Sequence, residues 1–306
     1  MASETGLTAP VSRPAGDLAG VAGIASLGRA LGPDVVAATE RLLKLHQHHV
    51  HSEAARVDRD RVYGPHERHR MDVFTGTDTT GPVLLFVHGG GFVGGDKHAA
   101  GKWYYDNIGH WAARSGMTGV TLNYRIAPHD QWPAGALDVA AAVEQLKREG
   151  VAPGRIVLMG HSSGATHVAS YLAGHANRPP TAAAAVLVSG IYDLSVGVPN
   201  AAYFGDDPGE HLKRSPKASL AESGVPLLLA IAEYDPPFLE EHFLRLLEAR
   251  LTAGNGMPHI ARILGHNHYS IAWHLGGSDK RFASAIEEFI RNSLSGREEE
   301  AGDVPK

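Results

Sequence analysis

The chain has 306 residues, 43% of them hydrophobic and 20% charged, with a formal net charge of -5. That length supports one large core, and the acidic balance with scattered Lys and Arg leaves no basic face for a phosphate backbone, so no nucleic-acid partner is expected. Cysteine is absent, which rules out disulfides, a thiolate nucleophile and Cys-ligated zinc.

Residues 1–17, rich in Thr, Pro, Ser and Gly, read as a disordered arm. They lack the basic and apolar regions of a secretory signal, and no later stretch reaches the roughly 18 apolar residues of a membrane span. The expectation is a cytoplasmic protein with no membrane partner. Across residues 18–56 the apolar positions Val35, Val36, Leu42, Leu43 and Leu45 recur at helical spacing, predicting two cap helices. The run His46-Gln47-His48-His49-Val50-His51 has imidazoles close enough on a helix to share an ion. Without a supporting carboxylate motif they read as solvated or substrate-lining, and no metal is expected.

The principal domain spans residues 57–296. Short β-rich runs around Arg61 to Gly64 and Met71 to Phe74 open it. Predicted strands then alternate with helices: Val83 to Val87, Gly119 to Tyr124, Arg155 to Met159, Ala184 to Val188, Leu227 to Ala232 and Ile260 to Leu264 against Trp103 to Ser115, Ala136 to Glu149, Ser163 to Leu172, Pro237 to Ala253 and Arg281 to Ser293. This pattern calls for an α/β fold with a mostly parallel sheet covered on both faces, and right-handed crossovers gather the carboxyl ends of its strands along one edge. Residues 195–223, with Pro199, Gly205, Asp206-Asp207-Pro208-Gly209 and Ser215-Pro216, break the alternation and read as a cap insertion. Residues 297–306 form a charged tail.

Chemistry-bearing motifs fall at the strand ends. Gly160-His161-Ser162-Ser163-Gly164 follows an apolar strand and opens a helix, the setting in which a tight turn flanked by small residues presents a serine hydroxyl at the sheet edge. In a chain with 36 glycines the five-residue pattern alone is weak, and it draws its weight from that setting. Earlier, His88-Gly89-Gly90-Gly91-Phe92 directly follows Val83 to Val87. Consecutive glycines let backbone amides face a cavity, as stabilising an oxyanion requires. The amides of Gly90, Gly91 and Ser163 are assigned to that role, with His88 as a structural support for the loop. No Gly-Lys-Ser/Thr follows, so a phosphate loop is disfavoured and no cofactor is implied.

A serine needs a histidine to take its proton and a carboxylate to orient that histidine. Asp235, in Glu233-Tyr234-Asp235-Pro236-Pro237, follows a strand and is the candidate acid, ahead of the plainer reading as a helix N-cap; Asp193 is the reserve. Gly265-His266-Asn267-His268-Tyr269 offers two candidate bases, His266 and His268, in the chain order expected of this architecture. Phe92, His161, Tyr203 and Tyr269 are the candidate pocket residues. Trp103-Tyr104-Tyr105 and Trp132-Pro133 read more readily as core packing than as an aromatic pocket.

Taken together, these motifs resemble those of the bacterial hormone-sensitive-lipase-like esterases, over a stretch from about Arg61 to Ser293. His88-Gly89-Gly90-Gly91-Phe92 is similar to the family's glycine motif, Gly160 to Gly164 to its nucleophile elbow, and Asn123-Tyr124-Arg125-Ile126-Ala127-Pro128, with Trp132-Pro133-Ala134 and Asp138, to a further family stretch. The resemblance implies an α/β-hydrolase fold with an eight-stranded sheet flanked by helices and a small helical cap. It further implies Ser162 as nucleophile, Asp235 as acid and His268, rather than His266, as base. Ser163 stands where many members carry Ala, and Asp-Pro-Pro where Asp-Pro-Leu is usual, which bears on substrate preference. The implied activity is hydrolysis of short- to medium-chain carboxylic esters of small molecules. An arylformamidase or other amide hydrolase with the same triad and, less favoured, a non-catalytic ligand-binding protein are the alternatives. Dimerisation through Ile260 to Leu264 is also implied by the family.

Overall fold

The computed structural model describes residues 23–44, 56–197 and 200–302, with the side chains of 296–302 excepted. The arm, the His46 to His51 run and the last four residues lie outside the described residues.

Eight strands form one sheet: β1 (Arg56–Val62), β2 (Arg70–Thr75), β3 (Val83–Val87), β4 (Thr118–Leu122), β5 (Ile156–His161), β6 (Ala184–Val188), β7 (Leu227–Tyr234) and β8 (His259–Asn267). Their spatial order is β1-β2-β4-β3-β5-β6-β7-β8. The first two pairings are antiparallel and all the others parallel. The central strands β3, β5 and β6 are buried along their whole length, which is why they read as continuous apolar runs rather than alternating ones.

Side-chain alternation splits each strand between two cores. Val83, Leu85 and Val87 pack with Val139, Val143, Val168 and Leu246 on one face. Leu84 and Phe86 pack with Ile108, Trp111, Ile286 and Phe289 on the other. The first face is covered by α3 (Ala134–Arg148), α4 (Ser163–Leu172) and α8 (Pro237–Thr252), and the second by α2 (Asp106–Arg114) and α10 (Arg281–Gly302). Helix α10 continues to Gly302, so the segment from Arg297, expected as a frayed tail, is helical to that point. No helix among the described residues is long and apolar enough to cross a membrane.

Two additions sit over the carboxyl edge. The N-terminal helix α1 (Pro33–Lys44) is tied to the sheet by the hydrogen bond from Asn267 to Thr39 Oγ1 at 2.8 Å. Just before it, Arg29 pairs with Glu240 at 2.6 Å. The insertion after β6 holds three short helices, α5 (Ala201–Phe204), α6 (Pro208–Arg214) and α7 (Lys217–Glu222), the first two capped by the side chains of Asn200 and Asp207. The remaining short helix, α9 (Ser270–Trp273), follows β8 directly.

Candidate active site

The turn between β5 and α4 is forced by what lies around it. A Cβ at Gly164 would overlap the carbonyl oxygens of Val87 and His88, and one at Gly160 would meet the Gly164 carbonyl oxygen at 2.5 Å, so only glycine lets the helix approach the sheet this closely. Between them Ser162 has φ of 56°, a left-handed conformation unfavourable for a residue with a side chain. Its amide donates to the Val188 carbonyl at 2.8 Å, which anchors the strained residue to the neighbouring strand. The hydroxyl stands at the N-terminus of α4, where the helix dipole favours negative charge.

Ser162 Oγ lies 2.9 Å from His268 Nε2, and His268 Nδ1 lies 2.7 Å from Asp235 Oδ1. His268 follows β8, and Asp235 follows β7, so two adjacent strand ends deliver the pair. The second Asp235 oxygen accepts from Ser189 Oγ at 2.5 Å and the Ala232 amide at 2.7 Å. Burial acts to raise the carboxyl's pKa, but the hydrogen bond and charge of His268, with Ser189 and the Ala232 amide, outweigh it and hold Asp235 below the ordinary aspartate range. Asp235 is therefore ionised against His268 Nδ1–H, leaving Nε2 as the acceptor that faces the serine.

The rival residues are elsewhere. Asp193 is buried against Lys217, at 2.5 Å, and Ser195. His266 turns to Ser270 and Asp279. Together with His274, His266 and Asp279 bring ligating atoms within 4.8 Å of one another, a grouping the sequence reading did not single out. Its carboxylate is already held by Arg281 and by His266 Nε2 at 3.2 Å, the two imidazoles stack at 3.9 Å, and His274 donates from Nδ1 to the Ser270 carbonyl at 2.7 Å, which leaves His274 Nε2 buried without a hydrogen-bond partner among the described residues.

The glycine loop after β3 is held from behind. Tyr124 Oη donates to the His88 carbonyl at 2.9 Å, and its ring stacks on His88 at 4.4 Å. His88 Nδ1 donates to the Gly89 carbonyl at 2.7 Å, and burial lowers the His88 pKa to about 4, so the ring is neutral. The stretch that carries Tyr124 is itself locked by Arg125, whose guanidinium and amide grip Asp138 at 2.7 Å each. Gly90 has φ of 149° and Gly91 of 60°. Among the described residues nothing accepts from the amides of Gly90, Gly91 or Ser163, which leaves three donors near Ser162 without protein partners.

A cavity of about 390 Å³ opens on this group, lined by Gly91, Phe92, Ser162, Ser163 and His268 together with Leu31, Ile191, Val196, Gly197, Phe238, Leu239, Glu241 and His242. Of the candidate pocket residues only Phe92 lines it. His161 is fully buried behind the carboxyl edge of the sheet and donates from Nε2 to the His268 carbonyl at 2.7 Å. Tyr203 stacks beneath Phe92 at 5.0 Å, its hydroxyl accepting the Gly135 amide. Tyr269 packs on Trp273 and accepts the Gly32 amide at 3.2 Å. Each is one layer behind the wall: His161 and Tyr269 because chain neighbours of a strand-end residue point away from it, Tyr203 because the cap helix that carries it packs its ring under Phe92. The missed residues Phe238 and His242 are four apart at the start of α8, one helical face beyond Asp235. That spacing was the available signal.

The sequence profile of a family described as alpha/beta hydrolase fold matches residues 84–237. The chain belongs to that family. Within it, the chain is 30% identical over 224 residues to the esterase LipI of Mycobacterium tuberculosis, a match covering 62% of this chain and 67% of LipI. It is 37% identical over 91 residues to the esterase LipC of the same organism and 34% identical over 116 residues to an acetyl-hydrolase of Streptomyces hygroscopicus. Those two matches span 28% and 38% of this chain, and 22% and 38% of the relatives' own lengths. Among solved structures, an esterase/lipase from an uncultured bacterium superposes with a TM-score of 0.68 at 21% identity, covering 92% of this chain and all of that one. An esterase from the bacterial hormone-sensitive lipase family superposes with a TM-score of 0.65 at 23% identity, covering 90% of this chain and 97% of that one. The architecture is thus the one that the sequence motifs imply.

Proposed function

We propose that this hydrolase is a serine esterase acting on short- to medium-chain carboxylic esters of small molecules, with Ser162 as nucleophile, His268 as base and Asp235 as the acid that orients it. The observation that carries the reading is the unbroken line Ser162 Oγ, His268 Nε2, His268 Nδ1, Asp235 Oδ1, at 2.9 and 2.7 Å, at the floor of an open cavity. Esterase and acetyl-hydrolase relatives support the same class of chemistry.

His268 takes the Ser162 proton as Oγ attacks the ester carbonyl, and Asp235 stabilises the resulting imidazolium. The carbonyl oxygen, now anionic, is received by the amides of Gly91 and Ser163, with Gly90 beside them. One such donor is worth about 3 kcal/mol in the transition state. His268 then protonates the leaving alcohol, and a water activated by the same ring releases the acyl group. Apolar lining by Leu31, Ile191, Val196 and Leu239 suits a short alkyl branch, and the cavity volume suits a small molecule rather than a long-chain lipid.

The domain division is proposed accordingly, with residues 57–296 as the catalytic domain, 18–56 and the insertion near 195–223 as the cap. The sheet ends on β8 with Ile260 exposed, an open edge that supports dimerisation there. Hydrolysis of p-nitrophenyl butyrate tests the activity: a burst of nitrophenol followed by steady turnover is expected, and an unchanged rate in Ser162→Ala would refute the assignment.

A further inference from the structure

The cavity wall contributed by α8 is not uniformly apolar. His242 lines the cavity although only 3% of its surface is exposed. Its Nδ1 accepts the amide N–H of Asp193 at 3.3 Å, which puts the proton of a neutral imidazole on Nε2. Burial keeps the ring neutral. Nε2 has no hydrogen-bond partner among the described residues, and it is the remaining polar atom of a ring that lines the cavity. Phe238 stands edge-on to the ring at 6.4 Å.

The adjacent Glu241 also lines the cavity. Arg245 holds its Oε1 at 2.8 and 3.0 Å and leaves Oε2 unclaimed. Among the described residues no Lys or Arg lines the cavity. A carboxylate or phosphate on the substrate would therefore meet the open Oε2 of Glu241, whose cation, Arg245, is already shared with Asp193 at 3.8 Å. A plain alkyl branch would cover the Nε2–H and leave it unpaired, at the cost that attends any stranded buried donor. A hydroxyl suits either group, since it accepts from a ring N–H or donates to a carboxylate.

We propose that His242 is a specificity-determining residue and that the preferred esters carry a hydroxyl on the branch seated against α8. The inference rests on the esterase reading and names its substrate class. The hydroxyl could belong to the acyl or to the alcohol branch, and paired substrates separate the two. On the acyl arm kcat/KM is compared for p-nitrophenyl butyrate and each enantiomer of p-nitrophenyl 3-hydroxybutyrate. On the alcohol arm n-butyl acetate is compared with 4-hydroxybutyl acetate by titrating released acid.

One arm should favour the hydroxylated ester about fivefold, the worth of one net hydrogen bond. His242→Phe should bring that ratio close to one, and His242→Gln, which restores an N–H at similar reach, should recover part of it. If His242→Phe shows no cooperative melt, Glu241→Ala at the half-exposed neighbouring position decides, and there the ratio should fall at least twofold. A ratio at or below one on both arms, or a ratio unchanged in the variants, overturns the proposal while leaving the esterase reading intact. Failure of the unmodified protein to hydrolyse any of these esters would instead overturn the esterase reading itself.

Discussion

Lowering the pH from 7 to 5 should destabilise this protein steeply, because it buries neutral histidines that the unfolded chain would protonate. Five are buried strongly enough to fall well below the ordinary value of 6.5: His88 and His242 to about 4, and His161, His167 and His274 to about 3. Desolvation is the largest cause in each, and for His161 the neighbouring His268 adds to it. A depressed histidine means the folded state holds fewer protons than the unfolded state between the two pKa values, so stability rises with pH across that window and is lost as pH falls through 6.5. At pH 5 the unfolded side chain lies about 1.5 units below its pKa, worth about 2 kcal/mol per histidine. Five such groups sum to on the order of 10 kcal/mol, against a typical total stability of about 5–15 kcal/mol. Asp235 and Asp138 do not blur the effect. Their carboxyls are held low, so their stabilisation persists until the pH falls below the ordinary aspartate range of about 4. Urea unfolding at pH 7, 6 and 5 should lose about 3 kcal/mol over the first step and about 6 kcal/mol over the second. His167→Phe should remove about one fifth of that dependence. A free energy of unfolding that is flat between pH 7 and 5 would refute the reasoning.

Asp235→Asn should lower kcat by about 10³–10⁴-fold with little change in KM, since His268 loses the partner that sets its tautomer; single-turnover kinetics would measure it, and a loss under tenfold would contradict the assigned role. Gly164→Ala should abolish or severely reduce soluble folded protein, because the added methyl meets the Val87 and His88 carbonyls; a thermal melt near the parent's would show that the elbow can yield. Tyr124→Phe should cost about 1 kcal/mol of stability through the lost bond to the His88 carbonyl and also lower kcat by loosening the glycine loop. Calorimetry paired with butyrate kinetics checks both. Among straight-chain p-nitrophenyl esters, butyrate should turn over faster than palmitate, and the reverse order would argue that the cap opens much further than the cavity of about 390 Å³ implies.

Strands β3 and β6 and helix α4 have the predicted boundaries, because each is a short apolar run, or a small-residue helix, bounded by strong turn residues. Other ends shift by a few residues where hydrogen-bonded registry rather than composition terminates the element: β8 runs on through Asn267, paired with Tyr234 beyond the irregularity near Ala232. His88 to Phe92, Ser162, Asp235 and His268 were legible because backbone geometry and proton transfer demand particular residue types at strand ends. His161 and Tyr269 adjoin Ser162 and His268 in the chain, but the local backbone turns each side chain into the layer behind, and Tyr203 is held there by the Gly135 amide and the Phe92 ring.

Local chemistry in the chain thus determined the fold class, the glycine loop, the elbow and the residues able to form a proton relay, since those depend on conformational preference over a few positions. Spacing by itself left His266 beside His268 and Asp193 beside Asp235, and the tertiary structure shows which of each pair meets its partner: His268 meets Ser162, and Asp235 meets His268. It also decided which side chains wall the cavity, bringing Leu31 from before the first long helix beside Ile191 and His242. The physical reason is that a pocket is made by side chains far apart in sequence, and their meeting is set by strand order and packing rather than by any local pattern.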